Sequence, residues 1–195
     1  MIATDQLKGV KGLVLCGGYS KRMGFDKSTI KYKGDLLFLK LADELNKTGL
    51  KTYISCREDQ KHLQEVPHPS IMDNGNYKGP AMGLFSAMEK YPEDAWLAVP
   101  CDMPLLNHQL FKNLLNRRDP QKMATAYLTS HPEQEIIHPL PAIYETSFRE
   151  LFKQELDAGN WSLRKILQKG DVNLIKPVQP DKLVNLNRPE DLNRV

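Results

Sequence analysis

Short apolar runs alternate with longer mixed stretches along most of the chain, and the runs break into glycine, proline or aspartate. Leu13–Cys16, Thr52–Cys56 and Ala95–Val99 are too short for helices and are bounded by turn residues, the pattern of buried strands. Pro69–Asp73 contains a short strand of the same kind. Between them, Leu36–Lys47 reads as the first long helix and is ended by Gly49. Pro80–Glu89 sets a proline in a first helical turn, with Met82, Leu84, Phe85 and Met88 behind it, and a further helix is expected near His108–Asn116. The second half is less regular. Met123–Leu128 and Pro141–Tyr144 read as strands, and Phe148–Leu156 and Ser162–Gln168 as helices. Leu183–Leu186 is a last strand-like run that leads into a short helix from Pro189.

Alternation of strand and helix predicts an α/β fold: a three-layer α/β/α sandwich around a mostly parallel, Rossmann-like sheet. Ligands of such sheets lie beyond the carboxyl ends of the strands. The loop after Leu15, the turn after Met72 and the turn after Val99 are therefore expected to converge on one cleft. No repeat, low-complexity tract or linker interrupts the chain, so one domain over residues 1–195 is expected.

The loop after the first run carries the strongest chemical signal. Leu13-Val14-Leu15 opens into Cys16-Gly17-Gly18, then Lys21-Arg22, Gly24 and Asp26-Lys27. Glycines let a backbone approach a ligand and turn its amides inward, and Lys21, Arg22 and Lys27 add positive charge over the same few residues. That combination is suited to a polyphosphate. The spacing excludes a Walker loop, because Gly24 is followed by Phe25-Asp26, and the dinucleotide fingerprint Gly-x-Gly-x-x-Gly is absent.

Further along, Val99-Pro100-Cys101-Asp102-Met103-Pro104 holds an aspartate between prolines at a strand end. Restricted backbone on both sides suits a metal-ligating carboxylate, although an isolated aspartate equally starts a turn. Asp73 closes the third run, and Gly79 and Gly83 frame a helix start, a place that favours anions. Gly79-Pro80 fits a structural turn as well as a site. Near the carboxyl terminus, Pro189 with Glu190 and Asp191 suits a first helical turn.

Leu15-Cys16-Gly17-Gly18-x-x-x-Arg22-Met23-Gly24-x-Asp26-Lys27 resembles the signature of the MobA-type nucleotidyltransferases, the molybdenum cofactor guanylyltransferases and their cytidylyltransferase relatives. Cys16 stands where that family usually has alanine. Pro100–Pro104 resembles the family's magnesium-binding segment, Gly79–Gly83 its Gly-Pro-Leu-Ala-Gly, and His138–Tyr144 its His-Pro-x-x-Ala-Leu. Asn185-Leu-Asn187-Arg-Pro-Glu-Asp191 resembles its Asn-x-Asn-Thr-Pro-Glu-Asp, with Arg188 removing the expected helix cap. The resemblance runs from about Gly12 to the end.

It implies a fold of the nucleotide-diphospho-sugar transferase type and a magnesium ion held by Asp102. It implies a catalytic role for Arg22, Lys27 and Asp102, and nucleotide binding by Leu15, Cys16, Gly17, Gly18, Lys27, Asp73 and Asp102. The family's guanine-holding asparagine after the second strand has no match here, and Ser55 is the nearest candidate. Asn185 and Asn187 either line the acceptor pocket or shape the turn.

The implied reaction moves GMP from GTP to the phosphate of the molybdenum-molybdopterin cofactor and releases pyrophosphate. A phosphate monoester, with a second pKa of about 6, is already largely dianionic near neutrality, so no general base is required. Positioning and charge stabilisation remain for the protein to supply. Cytidylyl transfer, sugar-phosphate nucleotidyl transfer and a non-catalytic nucleotide-binding regulator are the alternatives. Molybdoenzyme apo-proteins and other cofactor-biosynthesis proteins are the partners the resemblance implies.

Composition adds exclusions. With 195 residues, 41% hydrophobic and 26% charged, the chain has ordinary globular proportions. A net charge of +3 is too small to imply a nucleic-acid or membrane partner. No apolar stretch approaches a membrane span and Met1–Lys8 lacks a signal pattern, so the expected compartment is the cytoplasm. Three cysteines at unpaired spacing argue against disulfides and zinc. Cys16, Cys56 and Cys101 each follow an apolar run, and are read as small buried thiols at one sheet edge; inhibition by thiol reagents is the weaker alternative.

Overall fold

A computed structural model describes residues 2–17, 26–75, 77, 79–131, 134–186 and 191. A one-turn helix α1 (Thr4–Leu7) precedes strand β1 (Val10–Leu15). A small hairpin of β2 (Lys31–Tyr32) and β3 (Asp35–Leu36) leads into α2 (Leu37–Asn46). Then come β4 (Thr52–Cys56), β5 (Ser70–Met72), α3 (Pro80–Lys90), β6 (Ala95–Pro100) and α4 (His108–Asn116). The second half supplies β7 (Ala124–His131), β8 (Gln134–Tyr144), α5 (Phe148–Asp157), α6 (Leu163–Leu167) and β9 (Val172–Ile175).

Seven strands form one sheet in the order β5-β4-β1-β6-β8-β7-β9. β5, β4, β1 and β6 are mutually parallel, β8 runs antiparallel to β6 and β7, and β9 is parallel to β7. Alternate residues of each strand serve opposite faces, as the pleat requires. Val14 and Leu97 pack with Leu41 of α2 and Phe111 of α4 on one side. Leu13 and Trp96 pack with Leu84 of α3 and Phe152 of α5 on the other. This is the expected α/β/α sandwich. Among the described residues, no helix is long and apolar enough to cross a membrane.

The departures from expectation lie in the second half. The two strands expected at Met123–Leu128 and Pro141–Tyr144 are one long hairpin. Its pairing jumps from Ala126–Ala142 to Tyr127–His138, so Pro139 and Pro141 fall in the irregular stretch where no regular ladder donor is needed. β9 escapes notice because its four residues, Val172-Asn173-Leu174-Ile175, include a polar one and follow a short helix directly. The run Leu183–Leu186 is not a strand. Only Leu186 is buried there, and its amide donates to the carbonyl of Asp102 at 2.8 Å, a loop contact rather than a ladder. The helix expected from Pro189 lies almost wholly outside the described residues.

Candidate functional site

The parallel register brings the strand ends into line. Leu15 of β1 sits opposite Ser55 of β4 and Pro100 of β6, and Ser55 sits opposite Ile71 of β5. The residues that follow, Cys16-Gly17, Arg57, Asp73 and Cys101-Asp102, therefore emerge at one edge of the sheet. Of these, Gly17, Arg57 and Asp73 line an open cleft of about 930 Å³, together with Asn74, Gly79 and Met82 among others.

Asp102 is buried, and its Oδ2 accepts a hydrogen bond from Lys27 Nζ at 2.5 Å. Its other oxygen, Oδ1, is buried with no partner among the described residues. A half-satisfied buried carboxylate is costly unless a cation completes it. Lys27 reaches this position from a short helical turn, Lys27–Thr29, which Asp26 caps by accepting from the Ser28 amide at 2.9 Å.

Asp73 lines the cleft itself. Its Oδ1 accepts from Ser55 Oγ at 2.7 Å, and its Oδ2 is again buried without a partner among the described residues. Burial pushes the carboxyl up to about 6, against the opposing pull of the Ser55 hydrogen bond and the Arg57 charge. The carboxylate presses on the loop after β1: a Cβ at Gly17 would lie 1.8 Å from Asp73 Oδ2. Glycine at 17 is thus required by close approach. A Cβ at Gly83, within α3, would lie 2.1 Å from Ser55 Oγ, so the helix is notched to admit the hydroxyl that orients Asp73.

Both ends of the glycine loop are tied to the turn after β4. Gln60 Nε2 donates to the Cys16 carbonyl at 3.1 Å and to the two oxygens of Asp26 at 2.9 and 2.8 Å. Arg57 donates to the Gly17 carbonyl at 3.0 Å and lies 3.4 Å from Asp26 Oδ2. Burial alone would raise the Asp26 carboxyl, but the bonds from Gln60 and Ser28 and the Arg57 charge hold it below the usual range.

The family's MobA-like NTP transferase domain matches residues 12–174, a span that contains Gly17, Lys27, Asp73 and Asp102. The chain belongs to the MobA-like NTP transferase family. A Synechocystis "molybdenum cofactor biosynthesis bifunctional protein" is 32% identical over 185 residues; the match covers 94% of this chain and 53% of that protein, so the chain spans about half its length. A Shewanella "molybdenum cofactor guanylyltransferase" is 28% identical over 192 residues, covering 95% of both chains. Among solved structures, the molybdopterin-guanine dinucleotide biosynthesis protein A of Archaeoglobus fulgidus superposes with a TM-score of 0.76 at 20% identity, covering 94% of this chain and 95% of that one. The MobA-like NTP transferase described here is accordingly a nucleotidyltransferase, on the nucleotide-diphospho-sugar transferase fold.

In this MobA-like NTP transferase the structure brings together Leu15, Cys16, Gly17, Lys27, Ser55, Asp73 and Asp102. Gly18, Lys21, Arg22, Gly24 and Asn187 lie outside the described residues. Asn185 is exposed and immediately precedes Leu186, the residue bonded to Asp102. Ser55 departs from its expected part. It is fully buried and committed to Asp73, so it orients a carboxylate rather than facing a base. The three thiols are buried; burial and the neighbouring Cys101 push Cys16 up, and burial and the charge of Asp73 push Cys56 up. That favours inert thiols. Sequence reasoning missed Arg57 and Gln60. Neither belongs to a glycine, proline or carboxylate motif, and only the fold shows what they hold.

Magnesium was expected at Asp102. Among the described residues there is no cluster of three or more metal-ligating side chains. Magnesium does not need one, since it keeps several waters and binds through one or two carboxylates plus substrate phosphates. The unpartnered Asp102 Oδ1 fits that demand.

Proposed function

We propose that the protein transfers GMP from GTP to the phosphate of the molybdenum-molybdopterin cofactor, with release of pyrophosphate. The observation that carries this reading is the Lys27–Asp102 pair, whose free, buried carboxylate oxygen sits at the sheet edge where Asp73 meets the glycine loop. Lys27 and Asp102 are the groups placed to meet a triphosphate and its counter-ion, and relatives over nearly the whole chain carry the guanylyltransferase name.

In this mechanism Asp102 holds the divalent metal, magnesium in our reading, which when bound neutralises phosphate charge and polarises the reacting phosphoryl group. Lys27, with Arg22 from the glycine loop, neutralises charge that develops on the departing pyrophosphate. The amides of Leu15 to Gly18 approach the nucleotide, and Asp73 accepts hydrogen bonds from it, held in place by Ser55. The acceptor phosphate attacks the α-phosphorus as a dianion, and the residues contribute orientation and charge rather than proton removal. Asn185 and Asn187 are the residues this reading assigns to acceptor binding.

The same reading makes residues 1–195 one functional unit, places it in the cytoplasm, and gives it molybdoenzyme apo-proteins or other cofactor-biosynthesis proteins as partners. The test is pyrophosphate release with molybdopterin acceptor and magnesium, comparing GTP with CTP. Turnover with GTP well above CTP supports the reading. Preference for CTP replaces it with cytidylyl transfer, and binding without turnover replaces it with a regulator.

A further inference from the structure

Gln60 has no counterpart in the chemistry so far, yet it is 1% exposed and every polar group of its side chain is engaged. Its amide nitrogen bridges two segments ten positions apart, the Cys16 carbonyl and the Asp26 carboxylate. Its amide oxygen accepts from the Arg57 amide at 2.9 Å, which fixes which way the side chain faces. Cys16 and Asp26 stand on either side of the glycine loop, and Asp26 directly precedes Lys27. Without the bridging NH2 group the Cys16 carbonyl would lose this donor, and the Asp26 carboxylate facing it would be held by Ser28 and Arg57 alone.

We propose that Gln60 is a positioning residue of the nucleotidyl-transfer site: it staples the two ends of the phosphate loop together, and thereby sets where Lys27 stands relative to Asp102. The proposal rests on the function above and deepens it. Gln60 is sealed from the cleft, so it acts on nucleotide only through Cys16, Asp26 and Lys27. Its loss lets Cys16 and Asp26 move apart, so that GTP binding must restore the placement of Lys27 at a cost in affinity. The candidate acceptor residue Asn185, next to the Leu186 that bonds Asp102, is not part of the staple.

The experiment compares wild type with Gln60→Met, which keeps size but removes the donors, and with Gln60→Glu, which sets a carboxylate against Asp26. GTP binding to the free protein is measured by calorimetry, and the KM values for GTP and for acceptor are measured separately. Expected are a 10- to 100-fold loss of GTP affinity, a matching rise in the KM for GTP, and an acceptor KM within about twofold of wild type. Adding Asp26→Asn to Gln60→Glu restores a donor facing an acceptor, and should recover about tenfold of the lost affinity.

GTP affinity within twofold of wild type in both single variants overturns the staple. So does an equal rise in both KM values that tracks a fall in melting temperature, which would mark a merely structural residue. Wild type that binds no nucleoside triphosphate overturns the nucleotidyl-transfer reading itself, and the staple with it.

Discussion

Lys27 Nζ sits 2.5 Å from Asp102 Oδ2, an ion pair joining the segment after β1 to the turn after its neighbour β6. The pair leaves the other carboxylate oxygen without a partner among the described residues and fixes where the lysine ends. Replacing a preorganised charge of this kind typically raises a barrier by roughly 3–4 kcal/mol. Lys27→Met and Asp102→Asn should each lower the rate of pyrophosphate release by about two to three orders of magnitude. Near-normal turnover in either variant would remove that residue from the mechanism.

Asp73 makes the site sensitive to acid. Its carboxyl is pushed up to about 6 by burial, so the folded protein holds a proton there that the unfolded chain has already lost. Stability from this group therefore falls as pH rises from about 4 to about 6, and the penalty is complete above that window. Asp73→Asn should gain on the order of 2 kcal/mol of stability at pH 7.5 and almost none at pH 4, as read by urea unfolding at the two values.

Nucleotide binding should show the opposite limb. An ionised Asp73 is the better acceptor, so GTP affinity should decline as pH falls through about 6. The Ser55 hydrogen bond pulls the carboxyl down, and Ser55→Ala should move the decline to higher pH. A limb that stays in place in Ser55→Ala would show that Asp73 does not set it.

The two close approaches are testable by one methyl group each. Gly17→Ala would place a Cβ 1.8 Å from Asp73 Oδ2, and Gly83→Ala one 2.1 Å from Ser55 Oγ. Both force a shift of the Ser55–Asp73 pair. Each should weaken GTP binding at least tenfold, while far-ultraviolet circular dichroism stays that of the wild type. Unchanged affinity in Gly83→Ala would mean that the notch in α3 has no part in orienting Asp73.

Far from the cleft, Arg118 and Glu145 form a buried pair through two bonds of 2.7 Å, and Arg118 also donates to the carbonyls of Gln6 and Lys8. Removing one partner strands a buried charge. Arg118→Ala should lower unfolding free energy by about 3–5 kcal/mol, whereas Arg118→Met with Glu145→Leu should cost much less. Chemical denaturation of the two variants decides it.

The first half of the fold was legible because its strands are dense apolar runs and its helices have clear stops. Thr52–Cys56 and His108–Asn116 have the expected bounds in the structure. Legibility faded where neighbours outweigh local pattern: prolines hide the length of β8, and β9 is a short, partly polar strand held at the sheet edge by β7. Among the candidate site residues, Asp73 and Asp102 stand out because each closes an apolar run, and Lys27 because it ends the glycine-rich motif. The supports do not. Ser55 looked like a base contact because only sequence position was available, and Gln60 carries no local signal for a bond to residues 34 and 44 positions away.

The amide of Leu186 is a built-in reporter. It donates to the carbonyl of Asp102 from a stretch that, among the described residues, is not in a strand, so this single bond rather than a ladder holds it. The rate at which it exchanges for deuterium times the release of that tail from the residue paired with Lys27. A change in that one rate on adding acceptor, with no turnover needed, would register contact between the two sides of the cleft.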